Sequence, residues 1–530
     1  MTSCHDLGAA CGSTLLPSLS AQGQTLRSLT SSPFSHRGFH EGSERPLEQQ
    51  MKCIRFIMLT VKDDAGQGSL VVMIHWLGGS AQSWNEVAQQ LTASGFHCLS
   101  IDLPGFGESR ESSGFSVTAM VQSLVETIKS IRLERDHTPW LLAGHSMGGK
   151  LATILSRVAE DGEDGLGDLR GLVLLSPSPP CPEPMDESKR EKTVHALGWE
   201  TRDPRKRRLN AEKFVDENTG KLPLLDEVRE RTVDDVLRMN PDALTAWMRT
   251  GSKEDWSREV GTLAVPTLIM SGTEEKALGP ATQEADTIGH FTTVESVPLQ
   301  GGGHLAPLER PWEVADRMME FFDGLGFKRA PRKLGPGFAA LIASDRTSPQ
   351  TRKVMFERME NAPVDSAVLE REELRTLRAL AVCVVPDAGF DVAERLHGKL
   401  GHRTGDGWRF NSLPEDGKAW KKGLASLDAL SRTKFGVPFV ALDRPRQNEM
   451  LTHAQGGALH KDILGSLHLC ETAETLDATQ MRDWFEDVRG ELVKLYVADP
   501  RTMERMGFTG FADEIGFTKI QLGEQNEVEI

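Results

Sequence analysis

Apolar and polar positions follow two regimes along the chain. From about residue 52 to 325, short apolar runs alternate with stretches of helical periodicity, the pattern of βαβ units on a mostly parallel sheet. Ser69 to His75 (SLVVMIH) is apolar almost throughout, as a strand covered on both faces must be. Phe96 to Ile101, 139–143, Gly171 to Leu175, Pro266 to Met270 and Thr292 to Val297 read as further strands. Residues 83–94, Val117 to Ile131 and Met147 to Val158 read as helices between them, and Pro307 to Phe322 as a closing helix. From 349 to 530 the alternation stops. Leu374 to Val384, Lys418 to Arg432, Gln447 to Gly456 and Thr479 to Val497 predict amphipathic helices there.

These regimes predict an α/β domain over 51–325, a linker over 326–348 and a separate, mainly α-helical accessory domain over 349–530. The linker is rich in Pro, Gly, Lys and Arg. Its Gly335-Pro336-Gly337 start loosely matches a dinucleotide fingerprint, but no strand precedes it, so that reading is set aside. A long insertion, 177–260, interrupts the α/β pattern after Ser176-Pro177-Ser178-Pro179-Pro180 and turns charged and helix-prone. Its size and place predict a lid. Arg205-Lys206-Arg207-Arg208 within it read as a solvated helix face, with contact to an anionic substrate as the alternative. Residues 1–50 are Ser-, Gly- and Thr-rich without periodicity and read as a disordered extension rather than an organelle-targeting segment.

Charge narrows the partners. The net charge of −16 disfavours nucleic acid, whose phosphates need a basic surface. No apolar run is long enough to span a bilayer. The seven cysteines are odd in number and scattered, with no C-x-x-C pair. They predict neither a disulfide framework nor a zinc site, and a reducing compartment such as the cytoplasm. No metal or other cofactor is expected.

The candidate chemistry starts at Gly144-His145-Ser146-Met147-Gly148, directly after the apolar run Trp140 to Ala143 and before a predicted helix. A serine hydroxyl is a poor nucleophile unless geometry and a base activate it. A tight strand-to-helix turn between small residues supplies the geometry. The base is expected downstream, after the last strand, where Gly301-Gly302-Gly303-His304 fits. The orienting acid is expected after Thr267 to Gly272, as Glu275 or, alternatively, Glu274. The oxyanion donors would be the backbone N–H groups of Met147 and of Leu77, in His75-Trp76-Leu77-Gly78-Gly79.

On these pieces, with Asp102-Leu103-Pro104-Gly105-Phe106-Gly107-Glu108-Ser109 and Leu308-Glu309-Arg310-Pro311, residues 70–325 resemble the α/β-hydrolase superfamily. The resemblance implies an eight-stranded sheet, a lid between strands six and seven, a Ser146–His304–acid triad and a small-molecule acyl substrate. It places the acid three residues after Gly272, at Glu275. Trp76 departs from the pattern, which has glycine there; this would narrow the acyl pocket or shift the Leu77 amide. The glutamate stands where aspartate is commoner. The first hairpin is thin, with only Lys52 to Val61 available. Serine rather than aspartate at 146 argues against dehalogenase and epoxide-hydrolase chemistry. An ester, a thioester, a lactone or a carbon–carbon bond beside a ketone remain as substrates.

Residues 370–525 resemble the small-subunit family of gluconate 2-dehydrogenase, through Leu374 to Leu380, Val385-Pro386-Asp387 and the stretch from Asp499-Pro500 to Gly516-Phe517. That resemblance implies an accessory partner of a flavin-dependent oxidoreductase; the paired arginines of an export signal are not found. His397 and His402 read as surface residues. The expectation is a serine hydrolase of carboxylesterase type fused to a helical binding domain. The rival is a non-catalytic interaction protein docking on a flavoprotein.

Overall fold

Seven strands form one sheet among the described residues, in the order β1-β3-β2-β4-β5-β6-β7. They are β1 (Val61–Asp64), β2 (Leu70–Ile74), β3 (His97–Ile101), β4 (Trp140–His145), β5 (Leu169–Leu175), β6 (Thr267–Gly272) and β7 (Val294–Leu299). Only β1 runs antiparallel to its neighbour. The computed structural model describes residues 59–64, 68–133, 138–329, 332–360, 368–386, 388–401, 410–456, 475–508 and 510–511. The N-terminal extension, His402 and Gly516-Phe517 lie outside them. The eighth strand implied by the resemblance is not among the described residues; of the thin first hairpin, 52–58 fall outside and β1 is what is described.

The central strands are apolar because helices cover both faces. Every residue of β2, β3 and β4 is buried, and Val71, Met73, Leu141, Ala143 and Val173 share one core with helical residues such as Leu91 and Phe322. The covering helices are α1 (Asn85–Ala93), α2 (Val117–Leu133) and α3 (Met147–Glu160), with α9 (Pro280–Asp286), α10 (Ala306–Glu309) and α11 (Pro311–Gly324) later. The predicted closing helix is in fact two, α10 and α11, broken at Arg310 ahead of Pro311.

Between β5 and β6 the insertion folds as α4 (Glu187–Leu197), α5 (Pro204–Asn218), α6 (Asp226–Arg238), α7 (Pro241–Arg249) and the single turn α8 (Ser257–Val260). Asp203 and Asn240 cap α5 and α7, each followed by proline in the first turn. The fully buried Lys150 of α3 donates to the Cys181 carbonyl at 3.2 Å and the Glu254 carbonyl at 2.6 Å. One lysine thus ties both ends of the insertion to the helix that follows Ser146.

The rest is helical: α12 (Pro336–Ala343), α13 (Pro349–Glu357), α14 (Arg371–Val384), α15 (Val392–Gly401), α16 (Asp416–Phe435), α17 (Arg444–Gly456), α18 (Ala478–Ala498) and α19 (Pro500–Arg505). The segment read as a linker carries α12. Trp420, Leu424 and Leu427 of α16 face Met481, Trp484, Val488 and Leu492 of α18 in one buried core, each set at helical spacing. His397, expected at the surface, is buried: α15 turns it inward, its Nδ1 without a hydrogen-bond partner.

α14 packs against α11 through charge as well as apolar surface. Arg375, only 1% exposed, pairs with Asp316 and Glu320 of α11 and with its own Glu372. Arg378 joins Asp391 and Glu394, each at 2.7 Å. Asp499, fully buried, caps α19 and pairs with Arg395 and Arg501. The guanidinium groups of both arginines lie over the Phe390 ring.

Candidate active site

Parallel strands bring their carboxyl ends to one edge, and the sheet order has its switch at β2, flanked by β3 and β4. Ligand crevices of open α/β sheets lie at such points. Ile74 stands opposite Gly144, His145 opposite Leu175, and Gly272 opposite Leu299. The segments holding Leu77, Ser146, Glu275 and His304 therefore all leave the sheet at the same edge.

Ser146 has φ 54° and ψ −117°, a conformation that costs a non-glycine residue about 1–3 kcal/mol. The turn is held from several sides. Ser146 N–H donates to the Leu175 carbonyl at 3.0 Å, and the Ser146 carbonyl accepts from Gly149 and Ser178. A side chain at Gly148 would meet the carbonyl oxygens of His75 and Ile74 at 2.5 and 2.6 Å. Glycine there lets the first turn of α3 lie directly on the end of β2, at Ile74 and His75.

The segment after β2 is fixed by a histidine of known tautomer. Leu103 N–H donates to His75 Nε2 at 3.0 Å, so the proton sits on Nδ1, which donates to the Trp76 carbonyl at 2.8 Å. Burial holds the His75 ring below its usual value and keeps it neutral, against the pull of Asp102. Asp102 accepts from Ala81 N–H at 2.7 Å and Glu108 N–H at 3.0 Å, which explains its place in the Asp102 to Ser109 motif. Trp76 forms a wall. It stacks on Phe214 of α5 at 5.8 Å between ring centres and meets the His304 ring edge-on at 6.3 Å.

His304 Nδ1 and Glu275 Oε2 are 3.0 Å apart, both side chains about nine-tenths buried. Glu274 is exposed and makes only a backbone bond to the Gly302 carbonyl. Burial alone would push the Glu275 carboxyl up. The His304 ring and the N–H groups of Ala277 and Leu278 outweigh it and hold the group down at about 2. His145, next to Ser146 in the chain, donates from Nε2 to the His304 carbonyl at 2.7 Å, and the two rings lie 5.2 Å apart. Burial lowers the His145 ring well below the usual range, leaving it neutral.

Two carboxylates near the site were not singled out in the sequence. Glu309 accepts from Gly303, Gly220 and Leu305 N–H groups at 2.9, 3.0 and 3.0 Å. It clamps the His304 turn to the end of α5, and burial pushes its carboxyl up. Its position in Leu308-Glu309-Arg310-Pro311 was the available signal. Glu183, on the segment after β5, is buried, and its carboxyl is pushed up by burial against Ser178, Arg190, Lys150 and His304. Arg208 of the basic run is occupied by Glu212, Glu230 and Asp234, as on a solvated helix face. Among the described residues no His, Cys or carboxylate group has the geometry of a metal site, and no helix is long and apolar enough to cross a membrane.

Comparison with known proteins divides the chain in two. Residues 71–317 match the model of the alpha/beta hydrolase family, and residues 371–517 that of gluconate 2-dehydrogenase subunit 3. A putative non-heme bromoperoxidase, BpoC, of Mycobacterium tuberculosis is 31% identical over 100 residues, 19% of this chain, which spans 37% of that relative's length. The AB hydrolase superfamily protein YisY of Bacillus subtilis is 22% identical over 278 residues, 49% of this chain and 93% of the relative. An esterase structure from Exiguobacterium antarcticum is 18% identical with a TM-score of 0.44, covering 50% of this chain and 95% of its own. Residues 71–317 are thus similar to the alpha/beta hydrolase family, and 371–517 to gluconate 2-dehydrogenase subunit 3.

Proposed function

We propose that the chain is a serine hydrolase acting on an ester-like bond, or on a carbon–carbon bond activated by a ketone, through Ser146, His304 and Glu275. Ser146 attacks the carbonyl, and His304 Nε2 takes the hydroxyl proton and later gives it to the leaving group. Glu275 holds the ring so that Nδ1 carries its proton and Nε2 faces the reaction. The N–H groups of Leu77 and Met147 receive the oxyanion, and water releases the acyl group. The observation that carries this reading is the strained Ser146 turn on the same sheet edge as the buried His304–Glu275 pair. The relatives support a hydrolase without converging on a substrate. They include a pimeloyl-[acyl-carrier protein] methyl ester esterase and a 2-hydroxy-6-oxononadienedioate hydrolase.

The test is a fluorophosphonate probe on the parent and on Ser146→Ala. Labelling of the parent alone is expected; equal labelling of both, or none, sinks the reading. A second reading, an accessory protein of a flavin-dependent oxidoreductase, is favoured by the match of 371–517. It predicts that a flavin-absorbing protein co-purifies from the source organism.

A further inference from the structure

The helical region reaches the turn that carries His304. α16 ends at Gly436, whose φ of 73° reverses the chain, and the next residue, Val437, is fully buried. Its carbonyl accepts from the Ser431 hydroxyl at 2.9 Å, which fixes the residue on the end of α16. Gly301 has φ 74°, and a side chain there would land on Val437 Cγ1. The methyl of Val437 therefore fills the place where a residue other than glycine at 301 would put its own side chain. Nearby, the lid segment after α5 is held between the same two parts. Lys221 N–H donates to the Gly301 carbonyl at 2.9 Å, and the Asn218 carbonyl accepts from His304 N–H at 2.8 Å. On the other side Leu222 packs against the helical core, and Arg446 reaches the Pro223 carbonyl.

We propose that Val437 is a positioning residue for catalysis: the helical region braces the Gly301 turn and so sets the place of the His304 ring relative to Ser146. This rests on the serine-hydrolase reading above. The accessory region is then part of the working site, and anything that shifts the end of α16 tunes turnover. The physical basis is that an aligned base is worth far more than a loosely held one; a displacement near 1 Å costs about 10²-fold. Removing two methyl groups from Val437 frees the turn without touching any polar group.

The experiment uses the full chain and the fluorophosphonate probe. Val437→Ala is compared with Leu492→Ala, a fully buried truncation of the same helical core, on α18. Val437→Ala should lower the limiting labelling rate about tenfold with little change in the probe concentration giving half that rate, while Leu492→Ala leaves both unchanged. Independently of activity, the His304 ring-proton resonance should move in Val437→Ala only. Equal rates in parent and Val437→Ala, an equal loss in both variants, or a His304 resonance that does not move overturns the brace. A parent that Ser146→Ala shows is not labelled at Ser146 removes the hydrolase reading itself, an outcome distinct from these.

Discussion

At Ser146 the backbone holds a conformation that only its neighbours make tolerable, and at Glu275 a buried carboxylate is kept charged by its partner. The second point fixes a sign. The ordinary value for the group is 4.5 and the folded value about 2. A depressed folded value contributes stability above 4.5 that is lost as pH falls through about 2. The stability difference between the parent and Glu275→Gln should therefore be full at neutral pH and shrink between 4.5 and about 2, measured by urea unfolding across that window. The same variant leaves His304 without a charged partner, and its rate should fall roughly 10³–10⁴-fold. That Ser146 and His304 would leave the sheet at one edge was readable because strand ends, glycines and chain order constrain those positions, whereas the preference for Glu275 over Glu274 came from the resemblance to the α/β-hydrolase superfamily. The role of Glu309 was not readable: the Leu308 to Pro311 motif marks the residue, but nothing local says that its carboxylate will join the 303–305 turn to Gly220, 89 positions upstream. The inward turn of His397 escaped for a similar reason: a single histidine in a short helix carries no periodic mark.

Among elements, the contact between α3 and β2 leaves no room for a side chain beside Ser146. Gly148→Ala should destabilise the protein by about 1–3 kcal/mol through overpacking against the His75 and Ile74 carbonyls, read from the urea midpoint. The same change should slow labelling of Ser146, since it pushes the first turn of α3, which follows Ser146 directly, off the end of β2. The apolar runs located β2 to β6 to within a residue or two, because buried parallel strands leave continuous apolar stretches, whereas the edge strand β7 alternates and is only partly buried. Helix α15 was missed: Val392–Gly401 is short and holds Gly398 and Gly401, and its helical state comes from packing Leu396 and Leu400 into the core rather than from propensity. α12 escaped because Pro336 at its first turn reads as a breaker, although proline fits there.

Across the whole molecule, the α/β layer and the helical region meet at a mixed-charge seam centred on Arg375. Arg375→Met would strip Asp316 and Glu320 of a cation that is itself shut from water. The expected loss is about 3 kcal/mol, at the lower end for a broken buried pair because Glu320 and Glu372 keep some contact with solvent. Thermal unfolding of the full chain measures it, and salt should restore little of the loss. None of this seam was legible beforehand. Arg375 sits in a stretch already explained by its likeness to another family, and nothing local in sequence says that Asp316 and Glu320, some 55 or more positions upstream, will face it.

The bond from His304 N–H to the Asn218 carbonyl has its own consequence. Asn218 ends α5, whose Phe214 also stacks on Trp76. If α5 swings outward to admit a molecule, the segment bearing His304 loses an acceptor and the Trp76 wall loses its backing. On the hydrolase reading proposed above, an open α5 and a held His304 then exclude each other, as at a turnstile, where the bar must drop behind each arrival.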